Sequence, residues 1–377
     1  MNITQEAMAL HRTHNGKLGI ASKVPLRNKK DLALVYTPGV AEVSSYIAKH
    51  KNEVGEYTMK KRAVAVISDG SAVLGLGNIG PEGALPVMEG KCLLFKRFAN
   101  IDAFPIVLST QDPDEIIAAV KAIAPTFGGI NLEDIKAPQC FEVEARLKKE
   151  LAIPVIHDDQ WGAATAVLAG LLNALKITNR DIATAKIVIS GAGAAGSAIG
   201  KILTKKGAKQ IIMCDRAGAI YANREGNTEE KEALAAFTNP QGIPGSLGQV
   251  LTGADVFIGV SQPNILSTDM VKTMNAKSII FALANPTPEI MPQVAKAAGA
   301  YIVATGRSDF RNQVNNALIF PGIFKGALEK QIKEVTLEMF IRAAENLAAL
   351  VTHPTPSKII PSVFDQDVVE AVSKAVK

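Results

Sequence analysis

Lys186-Ile187-Val188-Ile189-Ser190-Gly191-Ala192-Gly193-Ala194-Ala195-Gly196 is the stretch that decides the fold. Its first five residues read as a buried strand, and the Ala/Ile-rich sequence after Gly196 reads as a helix. Between them the glycines follow the spacing G-x-G-x-x-G. Gly191 permits a tight turn, Gly193 lets backbone amides approach a pyrophosphate, and Gly196 lets helix and strand pack closely. With Ala194 and Ala195 completing the turn, the phosphates would rest on a helix N-terminus, where free N–H groups favour negative charge. The next strand, Ile211-Ile212-Met213-Cys214, ends in Asp215, at the place along the chain expected of an acid that accepts from a ribose. Asp215 favours NAD, while Arg216 beside it suits a 2′-phosphate and leaves NADP open.

Working outward, apolar runs at Val256–Val260, Ser278–Ala282 and Tyr301–Thr305 continue this sheet, with room between them for crossovers. Upstream, short strands are expected at Ala63–Ile67, Pro105–Leu108, Gly129–Leu132 and Ile153–Ile156, alternating with helical stretches. Gly162–Lys176 reads as a long Ala/Leu helix bridging two halves, and Glu329–Leu350 as a C-terminal helix. The expectation is an α/β protein of two domains. Residues 1–160 form a substrate- and metal-side domain, and residues 161–377 a Rossmann domain whose C-terminal helices pack back.

Composition narrows the functions. The 377 residues are 47% hydrophobic, 20% charged and only 5% aromatic, the balance of a folded protein rich in small-residue packing. No apolar stretch reaches the roughly 20 residues that cross a bilayer, and Met1–Leu10 does not read as a secretory signal. Cys92, Cys140 and Cys214 are far apart in apolar surroundings, which points to reduced thiols and the cytoplasm. The net charge of +5 comes without a basic stripe interleaved with aromatics, so it suits an anionic metabolite rather than nucleic acid.

Two acidic pairs carry the remaining signal. Glu133-Asp134 and Asp158-Asp159 each follow a short apolar strand, where α/β proteins place their chemistry. Carboxylates converging there repel one another unless a cation is present. With oxygen donors and no paired Cys or His, that cation is Mg²⁺ or Mn²⁺. Tyr36 precedes the rigid turn Thr37-Pro38-Gly39, and Leu74-Gly75-Leu76-Gly77-Asn78 is a second glycine-rich run. Lys91 leads into the apolar run Cys92-Leu93-Leu94-Phe95, which is expected to lower its pKa.

Together these residues resemble the malic enzyme family in its short bacterial form, along nearly the whole chain. The resemblance is carried by Tyr36-Thr37-Pro38-Gly39, Leu74-Gly75-Leu76-Gly77-Asn78, Gly90-Lys91, Leu132-Glu133-Asp134 and His157-Asp158-Asp159-Gln160-Trp161-Gly162, and by Asn315–Gly322. It implies metal-dependent oxidative decarboxylation of malate to pyruvate with reduction of NAD or NADP. Tyr36 would protonate the enol and Lys91 would take the hydroxyl proton, with Asp158 beside Lys91. Glu133, Asp134 and Asp159 would hold the metal, and Asn285, Asn315 and Asn316 would contact substrate or the nicotinamide side. A homodimer is implied, with malate, oxaloacetate and pyruvate as small-molecule partners. One departure stands out. Larger family members place a carboxylate-gripping arginine between Asp-Gly and Leu-Gly-Leu-Gly, but here the stretch is Asp69-Gly70-Ser71-Ala72-Val73, which leaves Ser71 or the asparagines for that task. Two other readings stay open, a soluble oxaloacetate decarboxylase of the same family and a non-catalytic dinucleotide sensor.

Overall fold

Parallel strands buried on both faces read as continuous apolar runs, and those of this chain do. The computed structural model describes residues 3–377. In the first half, β1 (Ala63–Ser68), β2 (Asp102–Val107), β3 (Gly129–Leu132) and β4 (Val155–His157) form a parallel sheet in the order β2-β1-β3-β4. Every residue of β1, β3 and β4 is buried. Pro105 lies inside β2, which is tolerable because β2 is an edge strand and a missing N–H breaks no ladder there.

The second sheet has the order β10-β9-β8-β5-β6-β7. Its strands are β5 (Lys186–Ser190), β6 (Gln210–Asp215), β7 (Gly218–Ala219), β8 (Val256–Gly259), β9 (Ile279–Ala282) and β10 (Ile302–Thr305). All pairings are parallel except β6 with β7. This is the doubly wound arrangement the glycine loop predicts, with the strand order reversing between β5 and β8.

Helices α1 (Ile3–His14), α2 (Lys29–Val35), α3 (Gly39–Lys49) and α4 (Val54–Tyr57) precede the first sheet and bury none of their residues. The first sheet is joined by α5 (Gly80–Ala99), α6 (Pro113–Ile123) and α7 (Gln139–Glu150). After α8 (Asp158–Thr178), the second sheet carries α9 (Ala194–Lys205), α10 (Glu229–Ala235), α11 (Leu247–Leu251), α12 (Thr268–Thr273) and α13 (Pro292–Ala297). The chain closes with α14 (Phe320–Glu329), α15 (Leu337–Ala349) and α16 (Val368–Ser373).

At 21 residues α8 is long and apolar enough to span a bilayer by length and composition, yet 72% of its most apolar window is buried inside the protein. A helix apolar on all sides must be enclosed, and α8 is, packed chiefly against α9 and α15. Its Ala164, Val167, Leu168 and Leu171 belong to one continuous core that also holds Val64 and Val66 of β1 and Ile187 and Ile189 of β5. The helix expected over Glu329–Leu350 starts later, as α15 from Leu337, because Glu329 is the last residue of α14. The chain breaks after α14 with Gln331 at φ +53°, and Thr336 restarts it as an N-cap accepting from the Met339 N–H. That break lets α14 turn back onto α5, where Phe320 and Phe324 pack on Phe95.

Candidate functional site

Each sheet has one place where strand order reverses, and in open α/β sheets ligands bind beyond the C-terminal ends of the strands there. In the second sheet that place lies between β5 and β8. Gly191, at φ +120°, follows β5 and sits so close to β8 that a Cβ would lie 2.6 Å from the Val260 carbonyl oxygen. Gly196 is closer still, with its added Cβ 1.9 Å from the Gly191 carbonyl oxygen, so helix and turn meet only because no side chain intervenes. A Cβ on Gly193 would meet nothing within 4 Å, leaving that side of the turn open. Gly193 is the N-cap of α9, and no side chain caps the free N–H groups behind it.

In the first sheet the reversal lies between β1 and β3. There Glu133 and Asp134 follow β3, while Asp158 and Asp159 open α8 just after β4. One carboxylate oxygen from each of Glu133, Asp134 and Asp159 lies within 4.8 Å of the others. Asp134 takes a left-handed conformation, φ +54°, and its N–H donates to Asp159 Oδ2 at 2.8 Å, which locks the two loops together. Its own Oδ2 is buried without a hydrogen-bond partner. Burial, then the neighbouring Asp159 charge, push the Asp134 carboxyl up to about 8. Glu133 is raised for the same reasons, burial first, although Lys91 opposes the shift. Three converging carboxylates, one with an orphaned buried oxygen, could hold a hard divalent cation such as Mg²⁺ or Mn²⁺.

Lys91 lies mid-way along α5 and only 6% of it is exposed. Its Nζ donates to Asp158 Oδ2 at 2.5 Å, stands 2.7 Å from Glu133 Oε1, and lies 4.2 Å above the Phe320 ring. The apolar wall expected from sequence is present, but the direction of the pKa shift is opposite. Burial lowers it, and the charges of Asp158, Glu133 and Asp159 more than reverse that, so Lys91 is raised above an ordinary lysine. The sequence shows the apolar neighbours of Lys91 but not the acids that fold against it.

One cavity of about 970 Å³ joins the two reversals. Lys91, Glu133, Asp134 and Asp159 line it together with Gly193, Ala194, Ala195, Asn285, Asn315 and Asn316. Asn315 Oδ1 also accepts the Ala317 N–H, fixing the turn that presents Asn316. Gly162 makes room at the α8 end, since a Cβ there would lie 2.0 Å from Asp158 Oδ1 and 2.9 Å from the Asn316 Cβ. Gly75 of the second glycine run does the same across the halves, because its Cβ would lie 2.0 Å from the Asn285 carbonyl oxygen.

The chain belongs to the malic enzyme family.

Residues 15–148 match the malic enzyme N-terminal domain and residues 161–377 the malic enzyme NAD binding domain. The chain is 55% identical to the bifunctional malic/malolactic enzyme of Bacillus subtilis (strain 168), covering 100% of this chain and 92% of that one. It is 52% identical to the NAD-dependent malic enzyme of Geobacillus stearothermophilus, covering 100% and 78%. The crystal structure of the NAD-dependent malic enzyme from Thermotoga maritima superposes with a TM-score of 0.95 at 51% identity, covering 98% of each chain.

Against the family pattern, three expected residues sit differently. Tyr36 is 67% exposed and does not line the cavity of its own chain. Ser71 does not line it either. Its hydroxyl donates to Asp69 Oδ1 at 2.6 Å and accepts the Lys136 N–H at 2.9 Å, so it is spent on holding two loops. Asp215 stands beside the glycine turn, whose Gly191 N–H donates to the Cys214 carbonyl, but its carboxylate is already engaged. Oδ1 accepts from Arg224 Nη1 and the Ala217 N–H, and Oδ2 from Arg224 Nη2 and Lys231 Nζ. Burial raises its pKa, and these donors more than reverse the effect, leaving it well below an ordinary aspartate.

Sequence reasoning passed over several cavity residues of this malic enzyme. Lys17, His11 and Lys136 line the wall, and among the described residues no acid stands within ion-pair distance of Lys136. Its place just past Asp134 is the signal that could have found it. Glu289 is fully buried and accepts the N–H groups of Ser261 and Ala284, tying the ends of β8 and β9 together. An acid inside Pro288-Glu289-Ile290 gives no such hint in sequence.

Proposed function

We propose that this chain catalyses oxidative decarboxylation of malate to pyruvate and CO₂ with reduction of NAD or NADP. The observation that carries this reading is one cavity lined by the glycine turn, the three-carboxylate set and Lys91, whose Nζ is bonded to the buried Asp158 behind it. A sensor needs the first of these alone, and a plain decarboxylase has no use for it.

Glu133, Asp134 and Asp159 would hold a divalent cation, which as a Lewis acid acidifies the substrate hydroxyl and steadies the enolate left by loss of CO₂. The dinucleotide supplies the hydride acceptor. Lys91 takes the hydroxyl proton as C2 gives up its hydride. Glu133 is shared between Lys91 and the metal set, so committing it to a cation leaves Lys91 with Asp158 alone and eases loss of the ammonium proton. Lys136 replaces the family arginine as the cation facing the substrate's second carboxylate. Asn285, Asn315 and Asn316 orient substrate and nicotinamide from the opposite wall. We place the division between the two domains at residues 160 and 161, inside the first turn of α8, and the protein in the cytoplasm, which suits three free buried cysteines.

Tyr36 is the acid that protonates C3, and it acts from a second copy of the chain. Supporting this, α1 to α4 bury nothing, and Ile20, Leu26, Leu34, Val35 and Tyr36 are exposed apolar residues along the same arm. An isologous dimer would cover them and bring each Tyr36 to its partner's cavity.

The test is malate turnover with and without Mn²⁺ and each cofactor, followed by reduced-nicotinamide absorbance. Oxaloacetate decarboxylation without any malate oxidation would replace this reading with a decarboxylase, and no turnover of either would leave a sensor. Co-expression of Tyr36→Phe with Lys91→Ala tests the shared site. Random pairing should restore about a quarter of wild-type activity if each site draws on both chains, and nothing if it does not.

A further inference from the structure

The first turn of α8 carries Asp158 and Asp159, yet its N-cap residue His157 offers no side-chain cap to the free N–H groups there. An uncapped helix start that bears two catalytic-site acids needs some other anchor. Glu144, on α7, is that anchor. Its side chain is 7% exposed, and it gathers donors from both sides of the acidic pair. Oε1 accepts the His157 N–H at 3.1 Å and the Trp161 Nε1–H at 2.9 Å, and Oε2 accepts the Gln160 side-chain amide at 3.0 Å. Lys148, one turn along α7, balances the charge at 2.8 Å. The residue before Asp158 and the two after Asp159 are therefore tied to one carboxylate on a neighbouring helix. On the far side, Trp161 stacks on Phe340 of α15, with ring centroids 5.6 Å apart and planes 16° from parallel.

We propose that Glu144 is a positioning residue for the metal centre, fixing the turn from which Asp159 meets Glu133 and Asp134. This rests on the reading of those three acids as cation ligands. Glu144 touches neither cation nor substrate. It acts by fixing the direction in which the Asp159 carboxylate points, and outer partners of this kind are commonly worth 10- to 100-fold in metal affinity.

The test is Mn²⁺ affinity, measured as free Mn²⁺ by electron paramagnetic resonance on the intact protein without substrate. Glu144→Ala should raise the Mn²⁺ Kd about 10- to 100-fold, Glu144→Gln should raise it less because one acceptor oxygen survives, and Lys148→Ala should leave it near wild type. Saturating Mn²⁺ should then recover part of the malate turnover lost in Glu144→Ala, a rescue that lost packing alone would not show. A folded Glu144→Ala with a Kd within about twofold of wild type would overturn the proposal. If that variant fails to fold, an unchanged Kd in Glu144→Gln overturns it instead. A wild-type protein that binds no Mn²⁺ would overturn the metal reading itself, which is a separate outcome.

Discussion

Adding one methyl group to Gly162 is the sharpest test of the Lys91–Asp158 pair. In an exposed helix, Gly→Ala stabilises by about 1 kcal/mol because alanine loses less backbone freedom. Here the new Cβ would lie 2.0 Å from Asp158 Oδ1 and 2.9 Å from the Asn316 Cβ. Ordinary contact lies near 3.5 Å, so Asp158 must retreat by roughly 1.5 Å. That is enough to break its 2.5 Å hydrogen bond to Lys91, a charge-assisted bond of the kind worth about 1.5–3 kcal/mol. Misplacement on this scale costs about 10²-fold in rate when it moves the reacting groups. Gly162→Ala should therefore lose about 10²-fold in kcat/KM for malate and gain nothing in Tm. The decisive assay is a double-mutant cycle with Asp158→Ala, using kcat/KM for malate oxidation. If the clash with the carboxylate is the main cause, deleting the carboxylate removes it and leaves only the milder contact with Asn316, so Gly162→Ala adds much less in that background. Additive losses, or a single mutant within about twofold of wild type, would refute the reasoning.

Other expected outcomes follow from the same geometry. Excess Mn²⁺ at about 100 times its Kd should stabilise the protein by about 2.7 kcal/mol, visible as a raised Tm that Asp134→Ala abolishes. In chelator, the raised Asp134 pKa makes the folded state hold a proton that the unfolded state has released. Stability should then fall as pH rises from about 3.8 to about 8, and a flat Tm over that window would contradict the assignment. Gly75→Ala drives a Cβ to 2.0 Å from the Asn285 carbonyl oxygen, so it should depress turnover while leaving Mn²⁺ affinity unchanged. Lys231→Ala opens one acceptor position on Asp215 Oδ2, which Arg224 still holds from the other side, and should raise kcat/KM for NAD relative to NADP severalfold. An unchanged ratio would mean that Asp215 serves only to pin Arg224.

The elements legible in the sequence were those whose signal is local. The strand, the glycine turn and the helix at Lys186–Gly196 declare themselves because each needs a residue type at a fixed spacing. The acidic pairs declare themselves by following apolar strands. What was hidden depends on residues brought together from afar. Lys91 was expected to have a lowered pKa from its apolar neighbours, but Asp158 stands 67 residues along the chain and reverses the shift. Asp215 marks the right strand end, but Arg224 and Lys231 from the next segment occupy the oxygens intended for a ribose. Glu144 and Glu289 look like ordinary helix and loop acids, and only burial shows what they hold together. Tyr36 is singled out in the sequence by its turn, but nothing near it says which chain's cavity it would reach.

The burial of α8 has a consequence for how the protein comes apart. Side chains from both sheets meet on this one helix, so neither sheet keeps its apolar face covered if the other melts. Two families of strands that look like separable modules should therefore unfold in a single transition, with equal calorimetric and van't Hoff enthalpies. The amide hydrogens of Ala164 to Leu171 should be among the last to exchange with solvent. Asp158 and Asp159 lack a side-chain N-cap, but Glu144 ties His157, Gln160 and Trp161 on either side of them to α7, so this first turn should share much of that protection rather than fray ahead of it.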